Sequence, residues 1–148
     1  MIFIASDHAG FELKNQIIEY LKSKSLEVED CGAFVFDKDD DYPDFCYLAA
    51  EKVGKNPGSM GIVLGMSGNG EGIVANKAKG VRAAHYYGGH EEIILLARKH
   101  NNANVLALGA KFLSFEEAKK AIDLFLNTEF EGGRHERRVK KINNLENE

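Results

Sequence analysis

The chain has 148 residues, a length typical of one domain with a single substantial core. Hydrophobic residues make up 44% and charged residues 28%, and the net charge of −4 lacks the basic surplus of a typical nucleic-acid-binding protein. No apolar stretch is long enough for a membrane span, and residues 1–10 lack the basic and apolar regions of a secretory signal. We therefore expect a cytoplasmic protein, with no nucleic acid and no membrane among its partners.

Strand-like and helix-like segments alternate from one end of the chain to the other. In chain order, we predict strands at 1–5, 26–30, 59–64, 81–86 and 104–109, and helices at 10–24, 43–55, 69–79, 90–100, 114–126 and 133–145. No repeat, low-complexity tract or linker divides the sequence, so we expect a single domain over residues 1–148.

Several residues mark the ends of these elements. Pro43 suits the first position of a helix, and it follows a loop at 36–42 that carries four aspartates. Gly80 is a typical helix terminator, and Ser114 with Glu117 has the spacing of a capping box. We expect the last helix to project beyond the sheet, where a partner subunit is within reach.

The two cysteines, Cys31 and Cys46, stand alone, without a Cys-x-x-Cys pair. In a cytosolic chain, isolated cysteines are usually buried or half-buried free thiols. A disulfide bond or a metal site is the less favoured interpretation.

Five strands, each followed by a helix, predict an α/β fold: a three-layer, Rossmann-like, doubly wound sheet of five parallel strands, with a further C-terminal helix. We expect the strand order 2-1-3-4-5. In such a sheet the ligand binds beyond the carboxyl ends of the strands, where the strand order reverses. That point lies between strands one and three, so the polar loop 6–10 and the glycine-rich loop 65–70 should meet there.

The glycine-rich loop reads Gly-Met-Ser-Gly-Asn-Gly, from Gly65 to Gly70. A dinucleotide-binding loop has another glycine spacing and follows the first strand, and a P-loop ends in Gly-Lys-Ser/Thr. Two interpretations remain. The loop is either an anion-binding turn, which aims several backbone N–H groups and the Ser67 hydroxyl at one atom, or a tight turn in which Ser67 only caps the helix.

Glu71 lies in the first turn of the helix that this loop opens. Its position is explained either by the favourable interaction with the helix dipole or by a role as a general base. A base beside amide donors suits proton abstraction next to a carbonyl, because the amides stabilise the developing oxyanion. An aldose–ketose isomerisation through an enediolate requires these two components.

Histidines supply further candidates. Asp7 and His8 leave the first strand at its ligand end, although Asp7 also suits a helix cap. His100 closes a helix, where it is either a functional group or a partner of the helix dipole. His85 and His90 have no neighbours in sequence that indicate a role, and we assign both a structural one.

Basic residues concentrate near the end of the chain. Arg134 and Arg138 share a helix face at i, i+4 spacing, and two guanidinium groups side by side suit a phosphate dianion. Arg137 and Lys141 form a neighbouring face. The alternative interpretation is a solvated basic helix.

Together these segments resemble type B ribose-5-phosphate isomerases, in the family that also contains the lactose-pathway galactose-6-phosphate isomerase subunits. The resemblance covers nearly the whole chain and rests on SDHAGFELK, VEDCG, DYPDF, GIVLGMSGNGEGIVANK, GVRAA, ARKHNNANVLALGA and FEGGRHERRVKKI. It implies a sugar-phosphate isomerase of the pentose phosphate pathway that uses no metal and no cofactor. It also implies a homodimer or a dimer of dimers, with each active site built from two subunits.

The resemblance implies roles for individual residues. His100 matches the proton donor that opens the sugar ring, assisted by Asp7, and Ser67 matches the hydroxyl position of the anion hole. The residues matched to substrate binding are His8, Tyr42, Gly65, Met66, Gly68, Asn69, Gly70, Asn101, Lys111, Arg134 and Arg138.

Three positions depart from the common pattern of the family. Lys111 stands where arginine is usual, which keeps the charge at the phosphate end but loses a bidentate donor. Gly65 stands where many members carry a cysteine base, and the chain resembles the subgroup in which a glutamate, here Glu71, is the base. Met66 stands where glycine is common, which bears on the size of the substrate.

The expected reaction is the interconversion of ribose 5-phosphate and ribulose 5-phosphate through a cis-enediolate, with Glu71 as base. The alternatives are an isomerase of six-carbon 6-phosphates, such as allose or galactose 6-phosphate, and a non-catalytic sugar-phosphate-binding module. Burial would raise the pKa of Glu71 and the helix dipole would lower it, and the sequence leaves open which effect is larger.

Overall fold

A computed structural model describes residues 1–147 of the chain. A sheet of five parallel strands lies between two layers of helices, which confirms the predicted three-layer fold. The strands are β1 (Ile2–Ser6), β2 (Val28–Asp30), β3 (Met60–Gly65), β4 (Ala83–Tyr86) and β5 (Val105–Gly109). The helices are α1 (Phe11–Ser23), α2 (Tyr42–Lys55), α3 (Asn69–Ala75), α4 (Glu92–Asn101), α5 (Phe115–Asn127) and α6 (Arg134–Asn144). Short 3-10 turns form at His8–Gly10, Ala110–Phe112 and Leu145–Asn147.

Each face of the sheet has its own hydrophobic core. Helices α1, α4 and α5 cover one face, toward which Ile62 and Leu64 of β3 point. Helices α2 and α3 cover the other face, toward which Val63 points. Successive residues of a strand point to opposite faces, so a strand between two cores needs apolar residues throughout. This explains the uninterrupted apolar run of β3.

The strand order is β2-β1-β3-β5-β4, so the predicted order 2-1-3-4-5 is wrong for the last two strands. β5 pairs with both β3 and β4, and all of its residues are buried. β4 is shorter, lies at the edge of the sheet and buries only Tyr86 fully. A fully apolar strand is more stable inside the sheet, where neighbours cover both of its edges.

Helix α3 ends at Ala75, whereas the prediction extended it to residue 79. The side chain of the next residue, Asn76, pairs instead with the backbone at the start of β4. Its Nδ2 donates to the Ala83 carbonyl at 3.2 Å, and its Oδ1 accepts from the Ala83 nitrogen at 2.8 Å. These contacts explain the early end of the helix, because the side chain competes with a further helical turn.

Helix α6 packs against α4 of the same chain, a contact that the sequence did not predict. Its buried side chains, His135 and Val139, lie on the side that faces α4 of the same chain. The Arg82 side chain, before β4, donates from Nη1 to the Asn143 side chain at 3.1 Å. Packing of α6 on a partner subunit stays a prediction.

Two local predictions are confirmed. Ser114 Oγ accepts from the Glu117 nitrogen and Glu117 Oε1 accepts from the Ser114 nitrogen, both at 3.1 Å, which completes the capping box of α5. Cys31 and Cys46 are buried free thiols, and burial raises the pKa of Cys31 to about 11.

No helix within residues 1–147 combines the length and the apolar character that a bilayer span requires.

Candidate active site

The loops after β1, β3 and β5 meet at the carboxyl end of the sheet. The register pairs Ser6 with Leu64, and β3 and β5 pair up to their last residues. The backbone N–H of Lys111 donates to the Met66 carbonyl at 3.0 Å, which ties the third loop to the glycine-rich loop. The meeting of the first two loops was predicted. Because β5 lies next to β3, the loop after β5 also reaches this site and brings Lys111 to it.

Glu71 is a buried acid of this site. Only 4% of its surface is exposed. Its carboxylate packs directly on the backbone of Gly65, so a methyl group at residue 65 would overlap the carboxylate. The Glu71 carboxylate therefore fills the space that a side chain at residue 65 would take, and this close approach requires the glycine.

Burial raises the pKa of Glu71 above its ordinary value, and the negative charge of Asp7 adds to the shift. The backbone N–H groups of Glu71 and Gly68 and the charge of His85 act in the opposite direction. Burial is thus the larger effect, which answers the question that the sequence left open. A carboxylate with a raised pKa is a stronger base than an exposed one and is better suited to take a proton from carbon.

The glycine-rich loop turns sharply into α3. Gly68 has a φ of +83°, in the left-handed region, and is the N-cap residue of the helix. The Ser67 hydroxyl oxygen accepts a hydrogen bond from the Asn69 nitrogen at 3.2 Å, so it caps the turn and keeps its own proton available to a ligand. Tyr42 lies against the loop from α2, because a methyl group at Gly70 would come within 2.5 Å of the tyrosine hydroxyl.

Asp7 and His8 begin the loop after β1. Asp7 is buried, and its Oδ1 accepts from the Ala9 nitrogen at 3.0 Å, so it caps the short turn as well as facing the site. His8 Nδ1 lies 2.6 Å from Asp40 Oδ1, and this hydrogen bond raises the pKa of His8. A protonated histidine offers a positive charge to a phosphate. Asp40 was missed because nothing in the aspartate-rich loop distinguishes the one residue that turns inward.

His85 lies on β4, and its ring contacts the glycine-rich loop, a contact that the sequence did not predict. Its Nε2 is 2.6 Å from the Ser67 carbonyl oxygen. No sequence signal marks this contact, because it depends on how the edge strand and the loop lie across the sheet from each other.

The other predicted site residues lie at the opposite end of the sheet. Helix α4 leaves the carboxyl end of β4 and returns to the start of the parallel strand β5, so it runs antiparallel to both. His100 and Asn101 are its last residues. The Arg82 side chain, just before β4, donates from Nε to the Asn102 carbonyl at 2.9 Å and marks the same place. Within one chain, His100 therefore does not reach Glu71.

Arg134 and Arg138 share the end of the sheet that carries His100. The rings of His100 and His135 stack, with 4.0 Å between centroids and 12° between planes. His135, which the sequence did not single out, is buried, and burial and the neighbouring His100 and Arg134 lower its pKa. Both arginines are exposed on α6. This end of the sheet thus presents the His100 imidazole and two guanidinium groups at the protein surface.

Two groups of side chains within residues 1–147 have the spacing of metal ligands, with ligand atoms within 4.8 Å of one another: Asp7, His8 and Asp40, and His100, Glu131 and His135. In the first group the His8 Nδ1 is already hydrogen-bonded to Asp40. In the second the two imidazole rings are nearly parallel, so their in-plane lone pairs do not converge on one ion. We assign a metal to neither group.

Known proteins resemble this chain in sequence. Residues 2–142 match the model of the family described as Ribose/Galactose Isomerase. Ribose-5-phosphate isomerase B of Mycobacterium leprae is 48% identical over 139 residues, which cover 93% of this chain and 85% of that protein. The probable ribose-5-phosphate isomerase B of Mycoplasma genitalium is 49% identical over 148 residues, which cover 99% of this chain and 96% of that protein.

Solved structures share the fold. Ribose-5-phosphate isomerase B from Mycoplasma genitalium, determined with bound ribulose-5-phosphate, superposes with a TM-score of 0.94 at 49% identity, over 99% of this chain and 96% of that chain. A ribose 5-phosphate isomerase from Thermotoga maritima gives a TM-score of 0.90 at 43% identity, over 97% of both chains. The fold, the matched family model and these identities together show that the chain belongs to the Ribose/Galactose Isomerase family, a family of isomerases.

Proposed function

We propose that this protein interconverts ribose 5-phosphate and ribulose 5-phosphate. The observation that carries the proposal is the position of Glu71, a buried carboxylate with a raised pKa beside the glycine-rich loop. An aldose–ketose isomerisation needs a base next to donors that stabilise an oxyanion. The relatives support the choice of substrate, since they are named ribose-5-phosphate isomerase B and one was solved with ribulose-5-phosphate.

In the proposed reaction, Glu71 takes the proton from C2 of the open-chain aldose. The electron pair of that C–H bond forms the C1–C2 double bond, and negative charge develops on O1, where the N–H groups of the loop and the Ser67 hydroxyl stabilise it. Glu71 then returns its proton to C1 while the proton of O2 passes to O1, which gives the ketose. The hydrogen lost at C2 reappears at C1, so the reaction balances without a redox cofactor.

We further propose that the protein is a homodimer, or a dimer of dimers, with shared active sites. Within one chain, His100, Arg134 and Arg138 lie at the opposite end of the sheet from Glu71, so a site with all four needs two copies. Apolar side chains at the Glu71 end support this arrangement, because a second copy would cover them. Among those more than half exposed are Met66, Ile73, Tyr87 and Phe112.

The remaining roles follow from this arrangement. His100 and Asn101 from the second subunit help to open the sugar ring, assisted by Asp7. The phosphate binds to Arg134 and Arg138 of the second subunit and to the positive groups at the Glu71 end, Lys111 and His8. Tyr42 contacts the substrate beside the loop. The proposed setting is the pentose phosphate pathway in the cytoplasm.

The test of the proposed function is a comparison of kcat/KM for ribose 5-phosphate, allose 6-phosphate and galactose 6-phosphate under one set of conditions. We expect the five-carbon substrate to be preferred by roughly tenfold or more, because one extra carbon must be accommodated in a closed site. The Glu71→Gln protein, purified identically, serves as the blank for contaminating isomerases. A preference for either six-carbon substrate would contradict the proposal, as would binding of all three sugars without conversion.

A further inference from the structure

The ring of His85 holds one carbonyl group of the glycine-rich loop. Its Nε2 lies 2.6 Å from the Ser67 carbonyl oxygen, and since a carbonyl only accepts, Nε2 carries the proton. A methyl group at Gly68 would come within 2.8 Å of the same nitrogen, so the ring packs closely on the loop backbone. From another side, a methyl group at Gly109 would come within 2.5 Å of the Ser67 carbonyl oxygen. The carbonyl is thus enclosed between β4 and the end of β5.

The Ser67 carbonyl and the Gly68 N–H belong to the same planar peptide group. In a trans peptide these two groups point in opposite directions, so a donor that holds the carbonyl also sets the direction of the N–H. The Gly68 N–H acts on the Glu71 carboxylate, whose pKa it lowers. Gly68 has a φ of +83°, and glycine tolerates other orientations of the peptide equally well. The glycine alone therefore does not fix this peptide.

We propose that His85 is a positioning residue: it holds the Ser67–Gly68 peptide so that the Gly68 N–H faces Glu71 and the oxyanion of the reaction. The inference rests on the proposed function, because it needs Glu71 as the base. His85 acts through the loop backbone and does not touch the substrate.

The groups around Glu71 predict the direction of the effect. Asp7, from the end of β1, raises the pKa of Glu71, and His85 lowers it. The thiol of Cys46, on α2, faces the same space, and burial and the charge of Glu71 raise its pKa. Loss of His85 removes its own interaction with Glu71 and releases the Gly68 N–H, and since both lower the pKa of Glu71, that pKa rises further. The acidic limb of kcat/KM against pH, which reports the base in the free enzyme, then moves to higher pH.

The experiment compares His85→Phe, which keeps a ring and removes the donor, with His85→Gln, which keeps an N–H donor. We expect H85F to lower kcat by about tenfold or more, with a smaller change in KM, and to shift the acidic limb upward. H85Q should recover most of both changes. His90→Phe, at an exposed histidine with no site contact, is the matched control. Wild-type kcat and an unshifted acidic limb in H85F would overturn the proposal.

A measurement on the unaltered protein keeps the test independent of folding defects in the variants. Nitrogen-15 NMR of the histidine rings should show His85 with its proton on Nε2, slowly exchanging with solvent. A proton on Nδ1 alone would overturn the proposal. Failure of the proposed function gives a different result. Full activity of Glu71→Gln would contradict the role of Glu71 as base. An inactive E71Q together with a wild-type pH profile in H85F would contradict only the role of His85.

Discussion

At the scale of single residues, the Glu71 side chain fills the space that a side chain at Gly65 would occupy. The carboxylate packs on the glycine backbone, where a side chain at residue 65 would otherwise project. The proposed base therefore lies in the first turn of α3 and not at the end of β3, and a side chain at residue 65 would have to displace its carboxylate. This steric link also explains the burial that raises the pKa of Glu71.

The first prediction concerns this link. Gly65→Ala places a methyl group on the Glu71 carboxylate, and we expect a loss of stability of about 1–3 kcal/mol, the usual cost of overpacking, together with loss of activity. In a Glu71→Ala background, Gly65→Ala should cause a much smaller loss of stability, because the new methyl group no longer meets the carboxylate. Urea denaturation of the four proteins measures this double-mutant cycle.

Gly72→Ala, on α3, is the control, since its added methyl group meets only Ala107 at an ordinary 3.4 Å. An equal loss of stability from G65A in the presence and in the absence of the Glu71 side chain would contradict the packing of the carboxylate on Gly65.

The second prediction concerns pH. Because the folded protein raises the pKa of Glu71, it binds more protons than the unfolded chain between the ordinary and the raised pKa, and stability falls as pH rises through that window. Glu71→Gln carries no charge and escapes this loss. We therefore expect E71Q to be more stable than the unaltered protein at neutral pH, and the difference to vanish below about pH 4.

Denaturant unfolding at several pH values measures the difference, with Glu116→Gln, at an exposed side chain, as control. Lower stability of E71Q at neutral pH would show that burial does not penalise the charge of Glu71.

At the scale of elements, local pattern was sufficient for the type and approximate bounds of the strands and helices, since each amphipathic or apolar run decides its own conformation. It was not sufficient for the order of β4 and β5. That order depends on which strand gains more from an interior position, a comparison between distant segments. The early end of α3 had the same origin, because the partner of Asn76 lies in β4.

The third prediction concerns that contact. Asn76→Ala removes both hydrogen bonds to Ala83, and we expect a loss of about 1 kcal/mol, because the contacts are exposed to solvent. Lys77→Ala, at the next exposed residue, should change stability by less than about 0.5 kcal/mol. Hydrogen exchange at the Ala83 amide gives a local measurement, and unchanged protection in N76A would contradict the role of Asn76 at the start of the edge strand.

At the scale of the whole molecule, the two ends of the sheet carry different parts of the proposed site. The glycine-rich loop and its neighbours were predictable, since the carboxyl ends of parallel strands meet at one edge. The separation of His100 from Glu71 was not predictable from motifs, because it follows from the antiparallel course of α4. A residue such as His85 is harder still to find, since its contact joins an edge strand to a loop of another strand.

The fourth prediction tests the shared site. Glu71→Gln and His100→Asn should each be nearly inactive alone. When the two proteins are unfolded together and refolded, half of the dimers are mixed, and each mixed dimer has one site with both native residues. Activity should recover to about a quarter of that of the unaltered protein. No recovery in a mixture shown to contain mixed dimers would place the complete site within one chain.

The most direct test of the central claim, that Glu71 takes the C2 proton, is the turnover of Glu71→Gln with ribose 5-phosphate, measured with the exchange of the C1 proton of ribulose 5-phosphate with deuterated water. Glutamine keeps the shape of the side chain and cannot accept the proton. We expect E71Q to bind both sugar phosphates still, to lose turnover by roughly a thousandfold and to catalyse no exchange. Near-normal turnover or exchange in E71Q would contradict that claim.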